Sequence, residues 1–185
     1  QLSQQLAEYV RACFAGVRLE SQEHEDAILE IAQLCHHEGW EFAQWDVEQG
    51  LRTTCEHENV SATDPLSAVR AADQLSDPDT VLVLVLTNMH RFLGSAEIVQ
   101  AIARQVHLGK QNRVTLVILS PVIQLPPELE KAFVVVQHEL PEPSQLEEIA
   151  RSIATEDTEL PSADELLRVV ESAAGLTRYE SENAF

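Results

Sequence analysis

Thr80-Val81-Leu82-Val83-Leu84-Val85-Leu86 is apolar at every position after the first. A strand with one wet face alternates polar and apolar residues. This stretch does not, so it predicts a strand buried on both faces, as in a parallel sheet. Residues 113–119 (RVTLVIL) read the same way, and residues 133–137 (FVVVQ) form a shorter version. Between the first two, residues 95–108 carry apolar side chains at helical spacing, and Gly109 is expected to end that helix. Upstream, Asp64 followed by Pro65 is a cap and a first-turn proline, predicting a helix to about Leu75. Residues 50–63 are polar and read as loop. Residues 40–47 alternate, with Trp40, Phe42 and Trp45 among polar neighbours, and predict a strand. Both tryptophans are expected beside the sheet core and not on a ligand platform. Residues 22–38 predict a helix with Ala27, Ile28, Ile31, Leu34 and Cys35 on one face, stopped by Gly39. Val17-Arg18-Leu19 is a short strand, and residues 2–14 form a leading helix.

Strands alternating with helices predict an α/β fold: a five-stranded, mainly parallel sheet with helices on both faces, within residues 1–140. After Pro141 only helical patterns occur, at residues 143–154, residues 162–173 and from Leu176 onward, with Gly175 separating the last two. Residues 141–185 are therefore expected to form a small helical lid that continues into a following domain. A start at Gln1 and a stop at Phe185 within a helical pattern suggest a segment of a longer protein.

The chain has 185 residues and 44% hydrophobic content, enough for a core without covalent staples. Thirty-one acidic residues against 12 basic ones give a net charge of -19. Such a surface repels nucleic acid and anionic lipid, and the basic residues do not cluster in sequence. No nucleic acid or membrane partner is expected. Cys13, Cys35 and Cys55 have no paired spacing and point to a reducing, cytoplasmic compartment. Cys35-His36-His37-Glu38, with His24 earlier, and Cys55-Glu56-His57 hold metal-ligating side chains. Adjacent helical residues point in different directions, so neither group predicts a metal site.

Three stretches carry a family resemblance. VLVLVLTNMHRFL stands where an AAA+ ATPase has an apolar strand ending in acidic residues. VTLVILS, then PVIQLPPELEKAF, then FVVVQHELPEP resembles the sensor-1 strand, its following segment and the last sheet strand with a proline exit into the lid. ESAAGLTRYESENAF resembles the AAA+ lid signature. In order, these resemble the degenerate N-terminal module of the AAA proteins encoded as a hypothetical chloroplast reading frame in cyanobacteria and plastids. The resemblance implies a parent AAA+ ATPase with ATP and Mg in an intact module. It also implies partnership with an intact AAA+ domain in the same or a neighbouring chain, and a homo-oligomer.

It also shows what is missing. A P-loop needs glycines whose N–H groups face phosphate, a lysine, and Ser or Thr for Mg²⁺. The corresponding place carries Ser21, Gln22 and Glu23, with Glu20, Glu25 and Asp26 around them and neither glycine nor lysine. Ser21 is expected to cap the following helix. After residues 80–86 the Mg²⁺ carboxylate is replaced by Asn88, with His90 as a nearby titratable group. Ser120 stands at sensor 1. Lys131 falls near the arginine-finger position as a trans contact, and Arg178 in the lid signature as a second sensor. No catalytic residue and no bound cofactor are expected in this segment. The leading expectation is a pseudo-ATPase module serving as an interaction and regulatory part. The alternatives are an atypical nucleotide-binding ATPase domain and a free-standing acidic adaptor for a basic partner.

Overall fold

In the computed structural model the described residues are 2–55, 60–122, 124–153 and 163–184. The chain divides into two compact units, Gln1–His138 and Glu139–Phe185. The first holds a six-stranded sheet of order β3-β2-β4-β5-β1-β6. Its strands are β1 (Gly16–Glu20), β2 (Glu41–Asp46), β3 (Gly50–Thr53), β4 (Leu82–Thr87), β5 (Val114–Ser120) and β6 (Val134–Gln137). All neighbouring pairs are parallel except β2 with β3. Its helices are α1 (Leu2–Arg11), α2 (His24–Glu38), α3 (Pro65–Leu75), α4 (Ala96–Asn112) and the single turn α5 (Pro127–Glu130).

The apolar run that predicts β4 is sorted by face. Val83 and Val85 join Val117 and Leu119 of β5 under α1 and α2, with Leu6, Ala27 and Ile31. Leu82, Leu84 and Leu86 join Leu116 and Ile118 on the other face, with Leu75 of α3 and Ile102 of α4. Each face thus has its own core, and a continuous apolar run is what two cores demand of a shared strand. Trp45 is fully buried in the second core, its ring edge-on to Phe92 at 6.0 Å.

Five strands are expected; β3 is the sixth, at the edge, within the stretch read as loop. It follows a tight turn in which the Asp46 carboxylate accepts the Glu48 and Gln49 N–H groups at 2.9 and 2.7 Å. Gly50 then takes φ 71. Leu51 is the only aliphatic side chain in β3, so no apolar alternation announces it. Three element ends also differ from expectation. Helix α1 stops at Arg11 because Cys13 turns left-handed, φ 59. Helix α2 starts at His24, and its N-cap is Glu23, without a side-chain cap bond. Ser21 lies two residues before that cap and accepts the Glu23 N–H at 3.0 Å, holding the turn that leads in. The Asp64 cap holds as expected, accepting Leu66 and Ser67 N–H at 3.0 and 2.9 Å.

Helix α4 runs through Gly109 and ends at Asn112, with Arg113 as its left-handed cap. Gly109 is there for close approach. A methyl group at that position would collide with the Val114 carbonyl and come within 2.8 Å of the Ala15 methyl. In an open helix, Gly to Ala stabilises by about 1 kcal/mol. Here overpacking wins, and Gly109→Ala is expected to cost about 1–3 kcal/mol. A denaturation midpoint that rises in this variant would show that the backbone can move aside.

The second unit contains α6 (Pro143–Ile153), α7 (Ala163–Ser172) and α8 (Arg178–Ala184) around Leu146, Ile149, Leu166, Val170 and Ala173. Ala154 and Ser162, the expected end of one helix and start of the next, lie outside the described residues. The Thr177-to-Glu180 spacing in the lid-like signature is a capping box. Thr177 Oγ1 accepts the Glu180 N–H at 3.1 Å, and Glu180 Oε2 accepts the Thr177 N–H at 2.9 Å. These bonds hold the Glu180 carboxyl below its usual value.

Candidate functional site

In the sheet order, β1 connects to β2 three places away on one side, whereas β5 connects to β6 two places away on the other. The connections diverge between β1 and β5, and in open α/β sheets ligands bind at the strands' carboxyl ends at such a point. The residues singled out in sequence meet there. Ser21 N–H donates to the Ser120 carbonyl at 3.1 Å, and Asn88 N–H to the Leu119 carbonyl at 2.8 Å. His138 N–H donates to the Glu20 carbonyl at 2.9 Å. Four strand ends thus lie in one row: His138 after β6, Ser21 after β1, Ser120 ending β5 and Asn88 after β4. Asn88 is left-handed, φ 55, and starts the 3₁₀ turn Met89–Phe92.

Both serines are closed off. Ser120 is 0% exposed and its hydroxyl has no hydrogen-bond partner among the described residues. Ser21 is 4% exposed, and its Oγ lies 2.8 Å from His138 Nδ1 and 3.1 Å from the Glu23 carbonyl. His138 Nε2 faces Glu30 and Asp26 of α2 at 3.6 and 3.8 Å. The Glu30 carboxylate above all, helped by Asp26 and Glu23, raises the His138 pKa against the opposing effect of burial. Glu30 is lowered by the same contact and also accepts the Ser3 N–H of α1 at 2.8 Å. In its charged form the ring donates from Nδ1 to Ser21 Oγ, whose own proton then goes to the Glu23 carbonyl. Sequence reasoning missed His138. The only available signal was its place directly after FVVVQ, at a strand's carboxyl end.

His24, at the start of α2, lies within the electrostatic reach of His90, after β4. Burial first, then the His90 charge, lowers the His24 pKa; burial and Arg91 lower that of His90. His24 Nε2 and His90 Nδ1 are buried without a partner among the described residues. Two neutral imidazoles therefore occupy ground where a polyanion would want cations. Gln22 is exposed, and Glu25 and Asp26 occupy the first turn of α2.

The outlying residues stand apart. Lys131 caps α5, exposed and without an ion pair among the described residues. Arg178 belongs to the second unit, where it bonds Glu182 at 3.0 Å. Cys35 is buried and its thiol is pushed up to about 12 by desolvation, whereas the His37 side chain is 84% exposed, so the two diverge. Glu56 and His57 lie outside the described residues. Among the described residues no three His, Cys, Asp or Glu side chains gather as metal ligands. No helix there is long and apolar enough to cross a membrane.

The fold is similar to that of PCH-2 from C. elegans, with a TM-score of 0.63 and 12% identity over 98% of this chain. The chain spans 60% of the length of that protein. It is also similar to a chain in the E. coli MS115-1 HORMA:CdnC:Trip13 complex, with a TM-score of 0.59 and 11% identity, covering 98% of this chain and 85% of that one. At such identities the likeness is one of fold. Nothing among curated proteins matches significantly. Residues 2–138, nearly the whole sheet unit, match the family model described as SpoVK-like AAA ATPase, N-terminal domain. The sheet that brings Ser21, Asn88 and Ser120 into one row is thus an AAA ATPase sheet, and the chain belongs to the SpoVK-like AAA ATPase N-terminal domain family.

Proposed function

We propose that this chain is a pseudo-ATPase module: a degenerate AAA+ domain that turns over no ATP itself and serves a larger AAA+ ATPase as an interaction and regulatory part. The observation that carries the reading is Ser21. Its hydroxyl is buried and engaged by Glu23 and His138, at the place where a P-loop would open its backbone to phosphate. Mg-ATP does not fit the residues around it. Glycine is absent between β1 and α2, Glu20 and Glu23 flank the turn, and Asn88 offers a neutral amide where a hard cation wants a carboxylate. Each lost charge-assisted contact is worth about 1.5–3 kcal/mol, so several losses remove useful affinity.

Titration calorimetry with Mg-ATP on the chain is expected to show no binding at micromolar concentrations, and Asn88→Asp is expected not to restore turnover. A micromolar dissociation constant, or phosphate release abolished by changing Ser21, Asn88 or Ser120, would overturn the reading. One observation favours the alternative of an atypical nucleotide site: the partnerless buried atoms Ser120 Oγ, His24 Nε2 and His90 Nδ1. The same calorimetry separates the two.

In this role the chain works through its surfaces, in the cytoplasm, beside an intact AAA+ domain of its own or a neighbouring chain, in a homo-oligomer. Any ATP and Mg belong to that intact module. Lys131 is available as a cation in trans, although it lacks the bidentate fork of arginine. Arg178 is the candidate lid sensor.

A further inference from the structure

At the other end of the sheet, by the amino ends of β1, β4 and β5, lies a cavity of about 220 Å³. Its walls include Val10, Phe14, Trp40 and Val81, and Arg11 and Arg113 also line it. We propose that this cavity is an anchor site for a protein partner, taking one large apolar side chain whose neighbouring residue supplies a carboxylate to Arg113.

Four features support it. The first is convergence. Among the described residues three non-glycine positions have positive φ, and two of them, Cys13 at 59° and Arg113 at 54°, line this cavity. Each is the left-handed end of a helix, α1 and α4, so two helix termini meet at one hollow. The second is aromatic content. Aromatics are 5% of the chain, yet Phe14, 41% exposed, and the half-buried Trp40 both open here. The third is charge. Arg11 is held by Glu38 at 2.7 Å, whereas Arg113 is exposed and has no ion pair among the described residues. An unpaired guanidinium beside an apolar hollow gives an acidic, apolar ligand a local partner, against the repulsion of a chain of net charge -19. The fourth is size. Pockets for whole small molecules run to roughly 300–1,000 Å³. This one suits a single side chain, which favours a peptide over a free metabolite.

Cys13 and Arg113 are a hundred positions apart in sequence and on no common motif. Only the β1–β5 register, Gly16 beside Leu116, brings them together.

The test is an NMR titration of the 185-residue chain with the peptide acetyl-Gly-Phe-Asp-Gly-amide. Its Phe-to-Ala and Asp-to-Asn analogues, and free indole-3-propionate, serve as comparisons. The expected result is saturable shifts at Val10, Phe14, Trp40 and Arg113, with either peptide change weakening binding at least tenfold. Arg113→Asn removes the charge but suits a left-handed position. It should fold normally and bind the acidic peptide at least tenfold more weakly, while leaving the Asp-to-Asn peptide unaffected. Absence of saturation at millimolar peptide overturns the proposal. So does affinity indifferent to the carboxylate or to Arg113, which would leave the arginines as partners of helix carboxyl ends only. Equal or tighter binding of indole-3-propionate would overturn the assignment to a protein partner.

Discussion

Trp45→Ala is expected to lower the stability of the sheet unit by about 3–5 kcal/mol, and the melting temperature by roughly 10–15 °C. The indole is fully buried, on the face that also carries Leu84, Leu86 and Met89, and it meets Phe92 edge-on. Alanine would leave a cavity at the centre of that core. The indole Nε1, however, has no hydrogen-bond partner among the described residues. Trp45→Phe removes this orphan donor and keeps most of the apolar contact, so it should cost no more than about 1–2 kcal/mol. Calorimetric melting of the two variants checks the pair. An unchanged melting temperature in Trp45→Ala would mean that the surrounding core closes over the space the ring leaves.

His138→Gln is expected to cost about 1.5–3 kcal/mol at pH 6 and less at pH 9. The ring is 9% exposed and is the cation facing Asp26 and Glu30 of α2, with Glu23 before that helix, the Glu20 carbonyl of β1 beside its own N–H, and Ser3 of α1 sharing Glu30. Its pKa is raised above the ordinary 6.5. Its stabilising effect is therefore complete below pH 6.5 and fades as pH climbs through the raised folded value. Glu30, lowered from 4.5, behaves in the opposite sense: its effect is present above pH 4.5 and is lost as acid takes it through the lowered folded value. The contact is at full strength between about pH 4.5 and 6.5. Denaturant midpoints of the chain and the variant at pH 6 and pH 9 test this. A difference that does not change with pH would make His138 a packing residue only.

Much of the architecture could be read from local chemistry. The β4 run announces a strand with two covered faces. Asp64 before Pro65 marks a helix start to the residue, whereas the capping box of Thr177 with Glu180 went unread within the lid-like stretch. Most of what escaped was relational. β3 is short and mostly polar, so its pairing with β2 leaves no periodic trace. Gly109 looks like a stop signal because glycine usually is one; only the nearness of Val114 shows it serving a tight crossing. At the candidate site, Ser21, Asn88 and Ser120 were placed by the family resemblance, which carries over position by position along the order of elements. His138 and the pairing of Phe14 with Arg113 were not, because they depend on which strand lies beside which.

The position of β1 has a consequence for how the chain folds. It pairs with β5 and β6, whose residues lie about a hundred positions later. Synthesis at about 5–20 residues per second leaves β1 without either neighbour for some seconds. Until β5 emerges, Val17 and Leu19 have no strand to lie against, whereas both strands of the β2–β4 pair are available sooner. β1, the strand between β5 and the edge strand β6, is thus inserted late, and the row that joins Ser21, Ser120 and His138 cannot exist until the last strand has been made. Folding of this unit should be slow for its size, with a β2–β4 half that forms early and a β1 slot that closes last.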